Sequence, residues 1–224
     1  DLPADKRQAA VFELAQDFHR AGLLDRAEEL FTKLDGSPFE HASLGFLISI
    51  YEQEKDWPKA IAVTRRMEAI AKRPYFKEIA HYHCELAQAQ LVKSDIAGAR
   101  ANIDLALAEY KACARATVLL GDLDLQQGDV AGAIEAWQRI ESQNPAFLSL
   151  VAERLADAYR RQGANAQGLR VLGAYQQQYP SLDLLNTVFT LTLGEEGSEA
   201  AGTLIKDELT RNPADLTHYL VDRG

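Results

Sequence analysis

The chain of 224 residues carries 24 Lys plus Arg against 33 Asp plus Glu, a net charge of -9. Its 47% hydrophobic and 25% charged content excludes a collagen, a disordered tail and a small disulfide scaffold. The acidic balance argues against a duplex nucleic-acid binder, which needs a dense cationic footprint to displace counterions from phosphates.

Taken in chain order, the predicted elements repeat. Residues 8–40 read as two helices, with Leu14 and Ala15 on the first, a stop at Gly22, and then AGLLDRAEELF, in which the small Ala27 is followed four residues later by a bulky apolar side chain. Residues 41–74 repeat this with Leu47, Ile48 and EKDWPKAIAVT about Ala60, and a longer connection, RPYFK (Arg73 to Lys77), follows. Residues 80–113 carry Leu86, Ala87 and KSDIAGARANI about Ala99, and residues 114–148 carry Leu120, Gly121 and QGDVAGAIEAW about Ala133. Residues 149–181 carry Leu155, Ala156 and QGANAQGLRVL about Gly168. Residues 182–215 carry Val188, Phe189 and EGSEAAGTLI about Ala201, after which a terminal helix starts near Leu216 and Leu220. Gly22, Gly128 and Gly163 stop first helices, and Pro145, Pro180 and Pro213 each stand twelve residues after a marker.

The markers are spaced 33, 39, 34, 35 and 33 residues apart, the tetratricopeptide period of about 34 with one insertion. The predicted fold is therefore all-α, a tetratricopeptide-repeat superhelical solenoid of about six helix pairs forming a single array over residues 1–224. One pair cannot bury its apolar face alone, so neighbours stack and leave a concave groove. Strand alternation and phosphate-loop glycines are absent from the sequence.

At 100° per residue, the first helix of the third repeat puts His83, Leu86, Ala87 and Gln90 on one packing face, and His81, Cys84 and Gln88 on the other. By resemblance to known tetratricopeptide domains the second face lines the groove. The same arithmetic buries Leu14, Leu86 and Leu120 and gives a partner-binding set of His19, Arg20, His81, Cys84, Gln88, Arg115, Asp122, Glu153, Asp157 and Arg160. Its mixed charge and amides suit a polypeptide better than a cofactor. A basic run, Arg65, Arg66, Arg73 and Lys77 with Lys72, surrounds the insertion and reads as a solvated face, with contact to an acidic partner or anionic lipid headgroups as the sharper alternative.

In EIAHYHCELA, residues 78–87, His81 with Cys84 and Glu85 has helical metal-ligand spacing, but only two or three ligands share a face. His83 reads as a packed, hydrogen-bonded residue and His81 as a polar groove residue, with no metal and no cofactor. Cys84 as a nucleophile lacks oxyanion donors, so no enzyme is expected. Cys84 and Cys113, the only cysteines, are too few for a disulfide framework and have no CxxC spacing, which points to a reducing compartment. The chain opens on Asp1 rather than Met and reads as a piece cut from a longer protein, so that any anchor or targeting segment could have been removed with the rest.

The stretches AGLLDRAEELFTKL, IYEQEKDWPKAIAV and EIAHYHCELA, spaced as they are, resemble the lipopolysaccharide assembly protein B family (LapB, also called YciM). The resemblance is closest over about residues 12–92, and its specific part is IAHYHCELA after the insertion. It implies a non-catalytic adaptor on the cytoplasmic face of a Gram-negative inner membrane. Such a protein presents the lipid A pathway deacetylase LpxC to the protease FtsH and touches the membrane sensor PbgA/YejM. It also implies an N-terminal membrane helix and a C-terminal zinc ribbon with paired CxxC motifs, neither of which is within these residues. An unrelated tetratricopeptide scaffold for envelope or secretion-complex assembly is the alternative.

Overall fold

A computed structural model describes residues 3–211. The terminal helix expected near Leu216 and Leu220, and Pro213, lie outside the described residues. Among those described, helices follow one another in pairs: α1 (Ala4–Arg20) with α2 (Leu24–Thr32), α3 (Glu40–Glu54) with α4 (Trp57–Ala71), and α5 (Phe76–Val92) with α6 (Ile96–Glu109). Next come α7 (Ala114–Gln126) with α8 (Val130–Gln138), which α9 (Ile140–Gln143) continues, then α10 (Leu148–Arg161) with α11 (Asn165–Gln178), and α12 (Leu182–Glu195) with α13 (Ser198–Arg211). Counting α8 and α9 as one, these are twelve helices, and no strand occurs among the described residues. None of the helices there is long and apolar enough to cross a membrane. Phe76 and Lys77 of the expected insertion already belong to α5, so the connection is shorter than the sequence spacing suggests.

One turn geometry closes each pair. The backbone N–H groups of Leu23, Asp56, Asp95, Asp129, Ala164 and Gly197 donate to the carbonyls of Phe18, Tyr51, Gln90, Asp124, Tyr159 and Thr192, each five residues back. This satisfies carbonyls that a helix end leaves open, and in the first five pairs the residue just before the donor is left-handed, whereas in the sixth Gly197 is both the donor and the residue with positive φ (90°). Gly22, Gly128 and Gly163 supply the left-handed residue, but so do Lys55 (φ 57) and Ser94 (φ 60), which adopt the same conformation without glycine's freedom. The next residue then starts the second helix. In three pairs it is an aspartate that caps it: Asp56, Asp95 and Asp129 accept the backbone N–H of Lys59, Gly98 and Gly132 at 3.2, 3.0 and 2.9 Å.

The chain divides into two compact units, Asp1–Ala116 and Thr117–Gly224, with the boundary inside α7. In the first, Ala15, Ala27, Phe31, Leu44, Leu47, Ile50 and Ala60 form a core that continues to Tyr82. Stacked rings brace it: Phe31 on Phe46 at 4.8 Å and Phe12 on Phe39 at 5.0 Å between centroids. In the second, Trp137, Leu148, Val151, Leu155, Tyr159 and Leu172 pack together, and the Trp137 indole N–H donates to the Val118 carbonyl at 3.3 Å.

Burial of Leu47 and Leu155 follows the sequence expectation, and Leu120 is buried as well. Leu14 is not, being 46% exposed. Its neighbour Ala15 takes the inward position, and a 100° rotation then turns Leu14 away from the pair. Leu86 is half-buried.

Leu155→Ala and Leu47→Ala should therefore each lower unfolding free energy in urea by about 2 to 5 kcal/mol. Leu14→Ala should change it by no more than about 0.5 kcal/mol. Equal losses at all three positions would contradict this assignment of inward faces.

Candidate functional site

In the first unit the candidate residues gather on one stripe of α5. His81, Glu85 and Gln88 stand at i, i+4 and i+7, hence one above another on a helix. Arg115, in the first turn of α7, spans them: its Nη1 lies 3.0 Å from His81 Nδ1 and 2.6 Å from Glu85 Oε1, and its Nη2 donates to Gln88 Oε1 at 2.8 Å. The His81 side chain is 49% exposed and meets the Trp57 ring edge-on at 6.2 Å. The result is a guanidinium held flat against the helix by three partners, with an imidazole still open to solvent. Three of the expected groove residues, His81, Gln88 and Arg115, are brought together. Glu85 was missed as their companion, although its i+4 spacing from His81 was visible.

Cys84 does not belong to this surface. It is fully buried, against the expectation that it faces a partner, and its sulfur lies 3.8 Å from that of Cys113. The physical reason is the turn that brings Cys113 back over α5 after α6. His83 packs as expected, its Nδ1 2.8 Å from Asn102 Oδ1, while Asn102 Nδ2 donates to Gln90 Oε1 at 2.9 Å. His19 is half-buried with its ring edge-on to Phe46 at 5.3 Å, and Arg20 is exposed and paired with Asp17.

In the second unit, Glu153, Asp157 and Arg160 line a cleft of about 440 Å³ between α10 and α12, with Leu125 of α7 at its side. Arg154, Asn186, Thr190 and Leu191 complete it, none of which the sequence singled out. Asp122 joins through Arg154, whose Nη1 donates to both carboxylate oxygens at 2.9 and 2.8 Å. Burial pushes the Asp122 carboxyl above its ordinary range, and the Arg154 charge and hydrogen bond act the other way. Asp157 is shared between Arg160 and Arg161, the latter at 2.9 Å. The cleft thus offers the apolar side chains of Leu125, Ala156 and Leu191, amide and hydroxyl groups, and charges of both signs at its rim.

The basic run is not presented as one cationic patch. Arg65 pairs with Glu68 and Glu109, and Arg66 with Asp35 at 2.7 Å and Glu40 at 2.9 Å. Arg73 lies over the Tyr75 ring, 4.2 Å from its centroid, and Lys77 over Tyr110 at 5.6 Å. Asp35 after α2, Glu40 of α3, Glu109 of α6 and two tyrosines absorb these cations together with the neighbouring Glu68, and the distant acids are partners that the local sequence does not show. Among the described residues no three His, Cys, Asp or Glu side chains are arranged to hold a metal ion.

The tetratricopeptide-repeat family model matches residues 84–146. Lipopolysaccharide assembly protein B of Escherichia coli K12 is 31% identical over 99% of this chain. The chain is a tetratricopeptide-repeat protein related to lipopolysaccharide assembly protein B. It spans 57% of that relative's length. The Haemophilus influenzae protein of the same name is 26% identical over 96% of the chain, which spans 54% of its length. Among solved structures, MamA aligns with a TM-score of 0.48 at 18% identity, covering 84% of this chain and 95% of MamA. The Pseudomonas aeruginosa pilF structure aligns with a TM-score of 0.48 at 17% identity, covering 98% of both chains.

Because burial raises Asp122 while Arg154 opposes it, Arg154→Met should move the Asp122 titration further up, as read by carbon NMR of its carboxyl. A carboxyl raised on folding favours the folded chain at low pH, and that benefit is lost as pH rises through the raised value. The variant should therefore lose that part of its stability at higher pH than the parent chain does. A downward or unchanged titration would show that Arg154 does not act on Asp122.

Proposed function

We propose that this chain is the partner-binding part of a non-catalytic adaptor that regulates lipopolysaccharide synthesis at the cytoplasmic face of a Gram-negative inner membrane. The observation that carries this reading is the match to lipopolysaccharide assembly protein B along 99% of the chain. Helix-pair repeats act by holding other polypeptides on their stacked surfaces, and the two polar clusters have the composition such a surface needs. In this reading the adaptor presents the deacetylase LpxC to the protease FtsH and answers to the membrane sensor PbgA/YejM.

The Arg115 stripe and the α10–α12 cleft are the docking surfaces in this reading, with His19, Arg20, His81, Gln88 and Arg115 contributed by the first unit and Asp122, Glu153, Asp157 and Arg160 by the second. Arg115 is held by uncharged and charged acceptors together, so an incoming carboxylate can exchange for Gln88 or His81 without stripping the guanidinium bare. Charge-assisted bonds of that kind are among the stronger polar contacts at an interface.

The test is co-purification of LpxC and FtsH with the full-length, membrane-anchored protein. Arg20→Glu with Arg115→Glu should abolish recovery of the deacetylase while helicity is retained, with thermal stability lowered because Glu85 and Asp17 lose their partners. Arg65→Glu with Arg66→Glu should retain it, at reduced thermal stability because Glu109, Glu68, Asp35 and Glu40 lose their partners. Loss only in the second variant would move the docking surface to the α4 side. Recovery of neither protein by the unaltered chain would overturn the adaptor reading.

A further inference from the structure

The two cysteines stand 29 residues apart with all of α6 between them, yet their sulfurs are in contact at 3.8 Å. Neither serves the polar clusters. Cys84 is on the inner face of α5, and Cys113 sits in the turn immediately before α7, where its N–H donates to the Tyr110 carbonyl at 2.9 Å. Cys113 retains 9% exposure and Cys84 none. No other sulfur or metal-ligand cluster among the described residues accompanies them.

The environment of the two sulfurs is unequal. The first backbone N–H groups of α7, those of Ala116 and Arg115, point at the Cys113 sulfur, as they would at any anion bound to a helix start. Arg115, two residues on, adds a positive charge. The Cys84 thiol is the remaining hydrogen-bond partner at 3.8 Å, and the N–H groups already aimed at Cys113 favour the arrangement in which Cys84 donates. These contacts, the Cys84 bond foremost, hold the Cys113 thiol below its ordinary range against the opposing effect of burial. Cys84 is pushed up by the same bond and by burial. One sulfur is thus disposed to be a thiolate and the other to remain a thiol beside it, the arrangement of an attacking and a resolving cysteine.

We infer that Cys84 and Cys113 form a redox modification site, at which hydrogen peroxide converts the adjacent thiols into an intramolecular disulfide. The Cys113 thiolate attacks one peroxide oxygen, the O–O bond breaks, and the departing hydroxide takes up a proton to leave as water, giving a sulfenic acid at Cys113. The Cys84 sulfur then attacks the Cys113 sulfur. Its S–H proton passes to the leaving hydroxide, a second water departs, and the S–S bond forms. Two thiols lose two electrons and two protons, and one peroxide becomes two waters. A dithiol reductant reverses the change by being oxidised to its own disulfide. The sulfurs must approach by less than about 2 Å to reach bonding distance. The bond ties α5 to the start of α7, the two segments that carry the Arg115 stripe.

The test treats the purified chain with dilute hydrogen peroxide, blocks remaining thiols with iodoacetamide under denaturing conditions, and digests with trypsin without reduction. Residues 78–93 and 112–115 should be recovered as one cross-linked peptide that separates on reduction. The oxidised chain should remain a monomer and melt at a higher temperature than the reduced chain, since the closed loop restricts the unfolded state. Cys84→Ser should leave a sulfenic acid at Cys113 that dimedone traps, whereas Cys113→Ser should leave Cys84 unlabelled. Recovery of both cysteines alkylated, a cross-link between two chains, or a sulfinic acid at Cys113 of the unaltered chain without any cross-link would each overturn the assignment. The cross-link is read on the unaltered chain and does not depend on either variant folding.

Discussion

Every helix pair rests on one close approach, in which a residue with little or no side chain on the second helix presses against the first. Ala27, Ala60, Ala99 and Ala133 have no exposure at all, and Ala201 only 1%. The fifth pair shows how little room there is, because a Cβ on Gly168 would lie 2.9 Å from the Tyr159 Cβ. In the fourth, the tight approach also runs the other way: a Cβ on Gly121 of α7 would fall 2.2 Å from the Trp137 indole nitrogen. At these contacts a small residue on one helix makes room for a large side chain on the other, as Gly168 does for Tyr159 and Gly121 for Trp137.

The turn geometry follows from the same constraint. Two helices can meet at the marker only if the chain reverses within a few residues, and the five-residue-back hydrogen bond does this in all six pairs. Glycine makes the left-handed step inexpensive, but Lys55 and Ser94 show that packing and the following Asp caps enforce it without glycine. The strain is local and the closure it permits serves the whole pair.

Stacking then decides which charges remain available. Arg65 and Arg66 look like an open cationic surface when read along α4, yet they close against acids contributed by other helices and by the turn after α2. Arg115 is also satisfied, but by a mixture of an imidazole, an amide and a carboxylate along one exposed stripe. An arginine locked by two carboxylates has little to gain from a partner, whereas one with neutral acceptors gains from a new anion. The same folding-back that builds this stripe presses Cys113 onto Cys84 beneath it. Polar surface and buried sulfur pair are two faces of a single chain reversal around α6.

By itself the sequence determined the class of fold, because a small residue recurring at nearly constant spacing is a local signal that survives in one dimension. It also placed Leu47 and Leu155 inside and His83 in a packed position, since helical periodicity fixes which neighbours share a face. The polar faces of α5 and α10 were legible for the same reason, and His81, Gln88, Glu153 and Asp157 lie on them. What periodicity cannot supply is the partner from another helix. The Asp122–Arg154 pair joins residues 32 apart in sequence, and Arg65–Glu109 residues 44 apart. Leu14 turned outward because Ala15 won the inner position. Cys84 left the predicted groove because the path of the chain after α6 puts a second sulfur against it. Those outcomes depend on distances between segments, which only the tertiary structure decided.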